Sequence, residues 1–140
     1  MRKLLSVVLA VGAFLVAGVV TAPSANAAGG ERLGCYVASG QPLLWGPPCR
    51  SQRPQESYAV RFKVLNGTGT YSYAWNTHGW PVTSGCTSTS GECNVRAQSI
   101  HDDTAVTVSV TISQPGYSAN LSATARLLAV CFFDYEWVWC

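Results

Sequence analysis

The run Ala105-Val-Thr-Val-Ser-Val-Thr-Ile112 decides the fold class, because its apolar and polar side chains alternate without interruption. Successive side chains of a β-strand point to opposite faces, so this alternation predicts a strand with one buried and one solvent-facing side. The expected inward side chains are Val106, Val108, Val110 and Ile112, and the expected outward ones are Thr107, Ser109 and Thr111.

Similar patterns lie on both sides of this run. Residues 58–65 alternate in the same way and end at the turn Asn66-Gly-Thr-Gly69, while residues 71–75 carry an aromatic side chain at every second position. Shorter strands are predicted at residues 33–37 and 94–100, and a last long strand at residues 118–130. No window of ten residues after residue 27 has a helical period. Short strands between Gly, Pro and Asn turns predict an all-β protein, an antiparallel β-sandwich.

The first 27 residues have the pattern of a cleaved signal peptide. Arg2 and Lys3 are followed by an apolar run and by Ala25-Asn26-Ala27, a small-x-small cleavage site. We therefore expect secretion, and no membrane anchor, because no second hydrophobic segment follows. Residues 28–57 are predicted to be an N-terminal leader and Pro-rich covering loop. Residues 58–140 are predicted to be the sandwich with a disulfide-bonded aromatic C-terminal segment.

The charge balance excludes two classes of partner. Because Arg2 and Lys3 leave with the signal peptide, the nine basic residues fall to seven, which equals the number of acidic residues. Nucleic-acid binding needs a basic stripe that neutralises phosphates, and docking on anionic lipid needs a basic cluster. We therefore expect a secreted monomer that binds no nucleic acid.

Six cysteines in a small exported chain predict three structural disulfides. Cys86 and Cys93 enclose a short polar loop and are the safest pair. The other four allow a local pairing or a crossed pairing that ties the N-terminal segment to the C-terminal strand, and we favour the local one. The local pairs are Cys35–Cys49 and Cys131–Cys140.

Residues 58 to about 128 resemble a bacterial extracellular immunoglobulin-like domain, close in pattern to PKD repeats. The resemblance rests on residues 60–69, on Tyr71-Ser-Tyr-Ala-Trp75 and on Asp103-Thr-Ala-Val-Thr-Val108. It implies an immunoglobulin-like sandwich in which Trp75 fills the core between the sheets. Thr107 stands where the corner Tyr of that family would be, and the usual inter-sheet cysteines are absent.

No catalytic or metal-binding motif stands out. His78 or His101 with Asp102, Asp103 and a serine supply the residue types of a hydrolase, but no Gly-x-Ser-x-Gly elbow is present. The same acids with Asp134 or Glu136 are oxygen ligands suited to calcium, and Asp103 is as well explained as a cap of its turn. We predict no enzyme activity and no cofactor.

The surplus of aromatic residues is the strongest functional signal. With Trp75 assigned to the core, Trp80 is a candidate for exposure, and residues 132–139 form a dense aromatic segment. Read as one strand, this segment places Phe133, Tyr135, Trp137 and Trp139 on one face. That face either binds a ligand or closes over the N-terminal loop, covering Leu43, Leu44 and Trp45.

Three functions are consistent with these features. The first is a non-catalytic extracellular binding or structural module of immunoglobulin type. The second is a carbohydrate-binding module that uses Trp80, Tyr135, Trp137 and Trp139. The third is a secreted inhibitor of a protease or other enzyme that presents the Cys86–Cys93 loop or the Pro-rich loop. The expected partner is accordingly a protein or a polysaccharide.

Overall fold

The computed structural model describes residues 29–38, 45 and 49–140, and these residues form nine β-strands and no helix. The predicted signal peptide and residues 39–44 and 46–48 of the predicted covering loop lie outside the described residues. The strands are β1 (Arg32–Ala38), β2 (Tyr58–Leu65), β3 (Ser72–Asn76), β4 (Val82–Gly85), β5 (Glu92–Ala97), β6 (Thr104–Gln114), β7 (Tyr117–Leu127), β8 (Val130–Phe133) and β9 (Glu136–Trp139).

Two antiparallel sheets pack face to face and form a β-sandwich. One sheet has the order β1-β2-β5-β4 and the other β3-β6-β7, while β8 and β9 form a separate two-stranded sheet. Inward side chains of both sheets join in one core, as expected where two half-apolar sheets meet. Its fully buried members include Val60, Phe62, Val95, Val106, Val108 and Leu127.

The alternation rule is confirmed on the strands that carry it most clearly. All four inward side chains predicted between residues 105 and 112 have no solvent exposure. In β2, Tyr58, Val60 and Phe62 are also fully buried, and Val64 is half-buried. The buried hydroxyl of Tyr58 donates to the carbonyl oxygen of Arg53 at 3.0 Å, so its burial leaves no donor unsatisfied.

The centre of the second sheet is a long hairpin of β6 and β7. The two strands pair over eleven positions, from Thr104 opposite Leu127 to Gln114 opposite Tyr117. Pro115 and Gly116 make the turn, and Gly116 has a φ of 78°, which glycine adopts without steric cost. The hairpin leaves β7 at the edge of its sheet.

Two predicted elements differ from the structure. The strand predicted at residues 118–130 ends at Leu127 and β8 begins at Val130, so one expected strand is two. Strand β4 was not predicted, because Val82-Thr-Ser-Gly85 is exposed throughout and carries no alternation of apolar and polar burial. An edge strand held by backbone bonds to β5 leaves no hydrophobic pattern in the sequence.

The N-terminal part of the chain closes one edge of the sandwich. Strand β1 pairs with β2, and residue Arg50 forms a parallel bridge with Arg126 of β7. The Cys35–Cys49 disulfide therefore joins the edge strand of one sheet to a segment bonded to the edge of the other. No helix in the described part of the chain is long and apolar enough to cross a membrane.

A carboxylate links the sheets at the start of β1. Tyr71 Oη donates to Glu31 Oε1 at 2.6 Å, and Tyr117 Oη donates to Glu31 Oε2 at 3.1 Å. The hydrogen bond from Tyr71 is the main reason that the pKa of Glu31 is lowered. The same bond raises the pKa of Tyr71 to about 12, and desolvation raises the pKa of Tyr117.

Candidate functional site

The candidate site is the C-terminal hairpin of β8 and β9, which we call the aromatic hairpin (residues 130–140). Phe132 pairs with Trp137 and Phe133 with Glu136, so a two-residue turn lies between the strands. The turn residues Asp134 and Tyr135 have positive φ angles of 47° and 68°. Positive φ at both central positions is characteristic of the type I′ turn, whose twist matches that of paired strands.

Covalent and backbone bonds hold the aromatic hairpin in place. The Cys131–Cys140 disulfide closes its open end, with the two Cα atoms 5.3 Å apart. Its first residue, Val130, is fully buried; its N–H donates to the Ser99 carbonyl oxygen at 2.8 Å, and its carbonyl oxygen accepts from His101 N at 3.0 Å. The hairpin is therefore anchored at its base and projects beyond it.

The predicted aromatic face is wrong. A single strand would group Phe133 with Trp137 and Trp139, but the turn at residues 134–135 reverses the chain. Pairing across the hairpin puts Phe132 on the face of Trp137 and Trp139, while Phe133 lies on the opposite face beside Glu136. Aromatic side chains thus occupy both faces and the tip.

Most of these side chains are exposed. Tyr135 at the tip is 91% exposed, Phe133 72%, Phe132 59% and Trp139 40%. Trp137 instead packs partly against the main core and contacts the Phe132 ring at a centroid distance of 5.3 Å and an interplanar angle of 56°. Large side chains exposed in one place are unusual on soluble monomers and mark interaction sites.

The other tryptophans lie elsewhere. Trp80, predicted as a candidate for exposure, is half-buried and packs against the main core. Trp75 packs between both apolar clusters, near its predicted place in the core. Trp45 lies against Tyr36 of β1, under the Lys63 ammonium, on the outer face of the first sheet. Leu43 and Leu44, the other residues that the aromatic face was expected to cover, lie outside the described residues.

The structure has the local disulfide pairing. Cys35 is joined to Cys49, Cys86 to Cys93 and Cys131 to Cys140, and none of the six is free. The loop closed by Cys86 and Cys93 packs against β3: Tyr73 N donates to the Ser88 carbonyl oxygen and Trp75 Nε1 to that of Ser90, both at 2.9 Å.

The candidate catalytic and calcium residues are not brought together. His78 Nε2 lies 3.4 Å from Ser109 Oγ, but Asp103 Oδ1 accepts from Ala129 N at 2.7 Å, near the base of the aromatic hairpin. His101 contacts Cys131 Sγ at 3.5 Å. Among the described residues, the one group with metal-ligand proximity is His101 with Cys131 and Cys140, and both thiols are committed to a disulfide.

Sequence reasoning missed Phe132 and Phe133 as site residues. A signal for them was present in the cysteine spacing. Nine residues of extended strand span about 30 Å, whereas a disulfide needs Cα atoms about 5.5 Å apart. Local pairing of Cys131 with Cys140 therefore requires a chain reversal midway, which exposes both strands and the tip. Comparison with protein-family models, curated proteins and solved structures finds no match to this chain.

Proposed function

We propose that this protein is a secreted, non-catalytic binding module of immunoglobulin type, whose aromatic hairpin docks into an apolar groove of a protein partner. The single observation that carries the proposal is the exposure of Phe132, Phe133, Tyr135 and Trp139 on one small covalently closed element. Aromatic side chains dominate the energetics of protein interfaces because each buries a large area with few rotatable bonds.

The strand order supports the immunoglobulin assignment. Numbered from A to G along the chain, the sheets β1-β2-β5-β4 and β3-β6-β7 have the orders A-B-E-D and C-F-G of constant-type immunoglobulin domains. Trp75 lies on the third strand and packs toward the core, as the tryptophan of strand C does in that fold. The disulfides differ from that pattern, since neither β2 nor β6 contains a cysteine.

Secretion is supported by two independent features. Three intramolecular disulfides in a chain of this size are typical of extracellular proteins, because the cytosol keeps thiols reduced. The charged, apolar and small-residue regions of the first 27 residues follow the order of a signal peptide.

The shape of the aromatic hairpin favours a protein over a polysaccharide. Sugar rings stack on flat, coplanar surfaces, whereas here the Phe132 and Trp137 rings meet at 56° and Phe133 points to the other face. A projecting element with apolar side chains on both faces matches a groove. The closed hairpin also loses little conformational entropy on binding, because its disulfide and turn already order it.

The carbohydrate alternative retains two of its four residues. Tyr135 and Trp139 are accessible to a glycan, but Trp80 and Trp137 pack against the main core. The inhibitor alternative is less favoured, because the Cys86–Cys93 loop is bonded to β3 through the carbonyl oxygens of Ser88 and Ser90. A protease-binding loop needs its backbone accessible in an extended form.

Site-specific photo-crosslinking tests the proposal. A photoreactive phenylalanine analogue at position 135 is expected to capture one predominant protein from the native extracellular fraction. The same analogue at the exposed position 111 of β6 serves as the matched control. Phe133→Ala in the labelled chain should reduce capture at least several-fold without changing the melting temperature, because Phe133 is 72% exposed.

Two outcomes would overturn the proposal. If positions 135 and 111 capture the same proteins in the same amounts, the hairpin is not a docking surface. If the protein is retained on an insoluble polysaccharide and the double variant Tyr135→Ala, Trp139→Ala abolishes retention, the carbohydrate alternative replaces the protein partner.

A further inference from the structure

A second candidate site lies away from the exposed tip of the aromatic hairpin, in a cleft of about 530 Å³ where the edges of the two sheets meet. Leu33 and Cys35 of β1 form one wall, and Ser122 and Thr124 of β7 form the other. Cys35 Sγ lies 3.7 Å from the Thr124 carbonyl oxygen at the point where the strands approach each other. The volume falls within the range of small-molecule sites, about 300–1,000 Å³.

Two arginines line this cleft side by side. Arg50 and Arg126 are partners in a parallel bridge, and both contribute to the cleft. Arg126 N donates to the Cys49 carbonyl oxygen at 2.7 Å, and Ser51 N donates to that of Arg126 at 3.0 Å. These bonds fix the two backbones, so the side chains start from adjacent positions on one face. Both arginines are exposed.

No carboxylate compensates this pair of positive charges. All seven acidic residues lie in the described part of the chain, where the one ion pair joins Lys63 to Glu92. Like charges directly opposite each other on neighbouring strands are destabilising. An oxyanion removes that repulsion, and the planar guanidinium group binds carboxylate, sulfate or phosphate with two parallel hydrogen bonds.

The edge of β7 adds backbone donors. Arg126 directs its N–H and carbonyl oxygen away from β6 and toward residues 49–51. Because both groups of a residue in an antiparallel strand point to the same side and the direction alternates, Ser122 and Thr124 direct theirs to the same edge. That edge faces the cleft, so two N–H groups converge on the space next to the arginines.

We propose that this cleft binds a ligand of sugar size that carries a carboxylate or sulfate group. The oxyanion lies between the guanidinium groups of Arg50 and Arg126 and accepts from the N–H of Thr124. The remainder of the ligand packs on Leu33 and on the Cys35–Cys49 disulfide, the apolar part of the cleft. The site goes beyond the proposed protein-docking function, since it uses none of the exposed aromatic side chains.

Titration calorimetry of the oxidised protein at low ionic strength tests this site with three probes. We expect saturable binding of D-glucuronate or glucose 6-sulfate and none of neutral glucose. Arg126→Gln and Arg50→Gln should each weaken binding about tenfold or more, the loss expected for one charged hydrogen-bonding partner. Arg61→Gln, which removes an exposed arginine of β2 that does not line the cleft, is the matched control and should bind as the wild type does.

A thermal-shift series with sulfate supplies an independent readout. Sulfate should raise the melting temperature of the wild type by several degrees more than that of the Arg50→Gln, Arg126→Gln double variant. Three results would overturn the proposal: no saturable binding of either anionic sugar, binding of inorganic sulfate only, or equal loss of affinity in Arg61→Gln. The last result would mean a general charge effect instead of a site.

Discussion

The sandwich and the aromatic hairpin are equally rich in aromatic side chains, yet they treat them in opposite ways. In the sandwich, Tyr58 and Phe62 have no exposed surface. In the hairpin, Phe133 and Tyr135 are 72% and 91% exposed. The difference shows that apolar content alone does not decide burial; what decides it is whether a strand has a second sheet to pack against.

The two regions are therefore ordered by different forces. The sandwich gains about 25 cal/mol for each Å² of apolar surface it removes from water, which is the usual source of stability. A two-stranded hairpin of four-residue strands buries too little surface to be stable alone. Its order comes from the Cys131–Cys140 disulfide, the turn and the backbone bonds at Val130.

The largest effect that separates the regions should come from truncating one aromatic side chain in each. Phe62→Ala removes a fully buried ring and is expected to lower the free energy of unfolding by about 3–5 kcal/mol. Phe133→Ala should change it by no more than about 0.5 kcal/mol, since the ring is mostly in water. Urea denaturation followed by circular dichroism measures both values. A comparable loss in Phe133→Ala would show that the hairpin contributes to the core.

Removing disulfides should give the next largest difference. Cys35→Ala with Cys49→Ala is expected to cost about 3 kcal/mol, because the bridge between the two sheet edges restricts the unfolded chain. Cys131→Ala with Cys140→Ala should cost less than about 1 kcal/mol, since the hairpin then gains freedom in the folded state as well, which offsets the change in the unfolded state.

Selective reduction checks the same idea on the wild-type protein. Cys35 and Cys49 are 4% and 8% exposed, whereas Cys140 is exposed and Cys131 half-buried. A mild thiol reductant should open the hairpin bridge first, as seen by mass spectrometry after alkylation. Earlier reduction of Cys35–Cys49 would contradict this order.

Ser99 lies at the junction of the two regions and should have an intermediate effect. Its side chain is 1% exposed, and its Oγ lies 2.7 Å from the Asp102 carbonyl oxygen and 2.8 Å from that of Leu127. Ser99→Ala leaves a buried acceptor without its donor, which costs about 1–3 kcal/mol. Amide hydrogen exchange at Val130 should accelerate in this variant. Ser118→Ala, at an exposed position of β7, is the control.

The smallest effect should be the pH dependence at the end of the sandwich where Glu31 lies. The pKa of Glu31 is lowered in the folded protein, so its contribution is present above the ordinary value of 4.5 and is lost as the pH falls below it. The pKa of Tyr71 is raised from 10.0 to about 12, so its contribution is lost as the pH rises between these values.

Melting temperatures measured from pH 3 to pH 12 should therefore fall slightly at both ends, and Glu31→Gln should reduce both changes. Amide exchange in the aromatic hairpin should not follow this dependence, because Glu31 contacts the sandwich strands. An unchanged profile in Glu31→Gln would mean that other groups cause it.

Much of the sandwich could be predicted from the sequence, and the reason is physical. Strands β2 and β6 each have one face in the core and one in water, so burial leaves a period of two in the residues. Strand β4 has no buried face and leaves no such pattern. The disulfide pairing followed from short sequence separations, because nearby cysteines close small loops at little entropic cost.

The candidate sites were less predictable. Asp134 and Tyr135 adopt positive φ angles that their residue types do not announce, so the turn that reshapes the aromatic face left no local signal beyond the spacing of the cysteines. Arg50 and Arg126 lie far apart in the chain and become neighbours only when residues 49–51 bond to β7. No periodic pattern encodes a contact of that kind.

The local disulfide pairing also has a consequence for the order of events during oxidative folding. The three bridges join cysteines only 14, 7 and 9 residues apart. Loops of about ten residues close in tens of nanoseconds, whereas pairing distant strands such as β3 and β6 is far slower. Each cysteine therefore meets its native partner before the sheets assemble. We expect the bridges to form in chain order as the polypeptide emerges, with little exchange among partners.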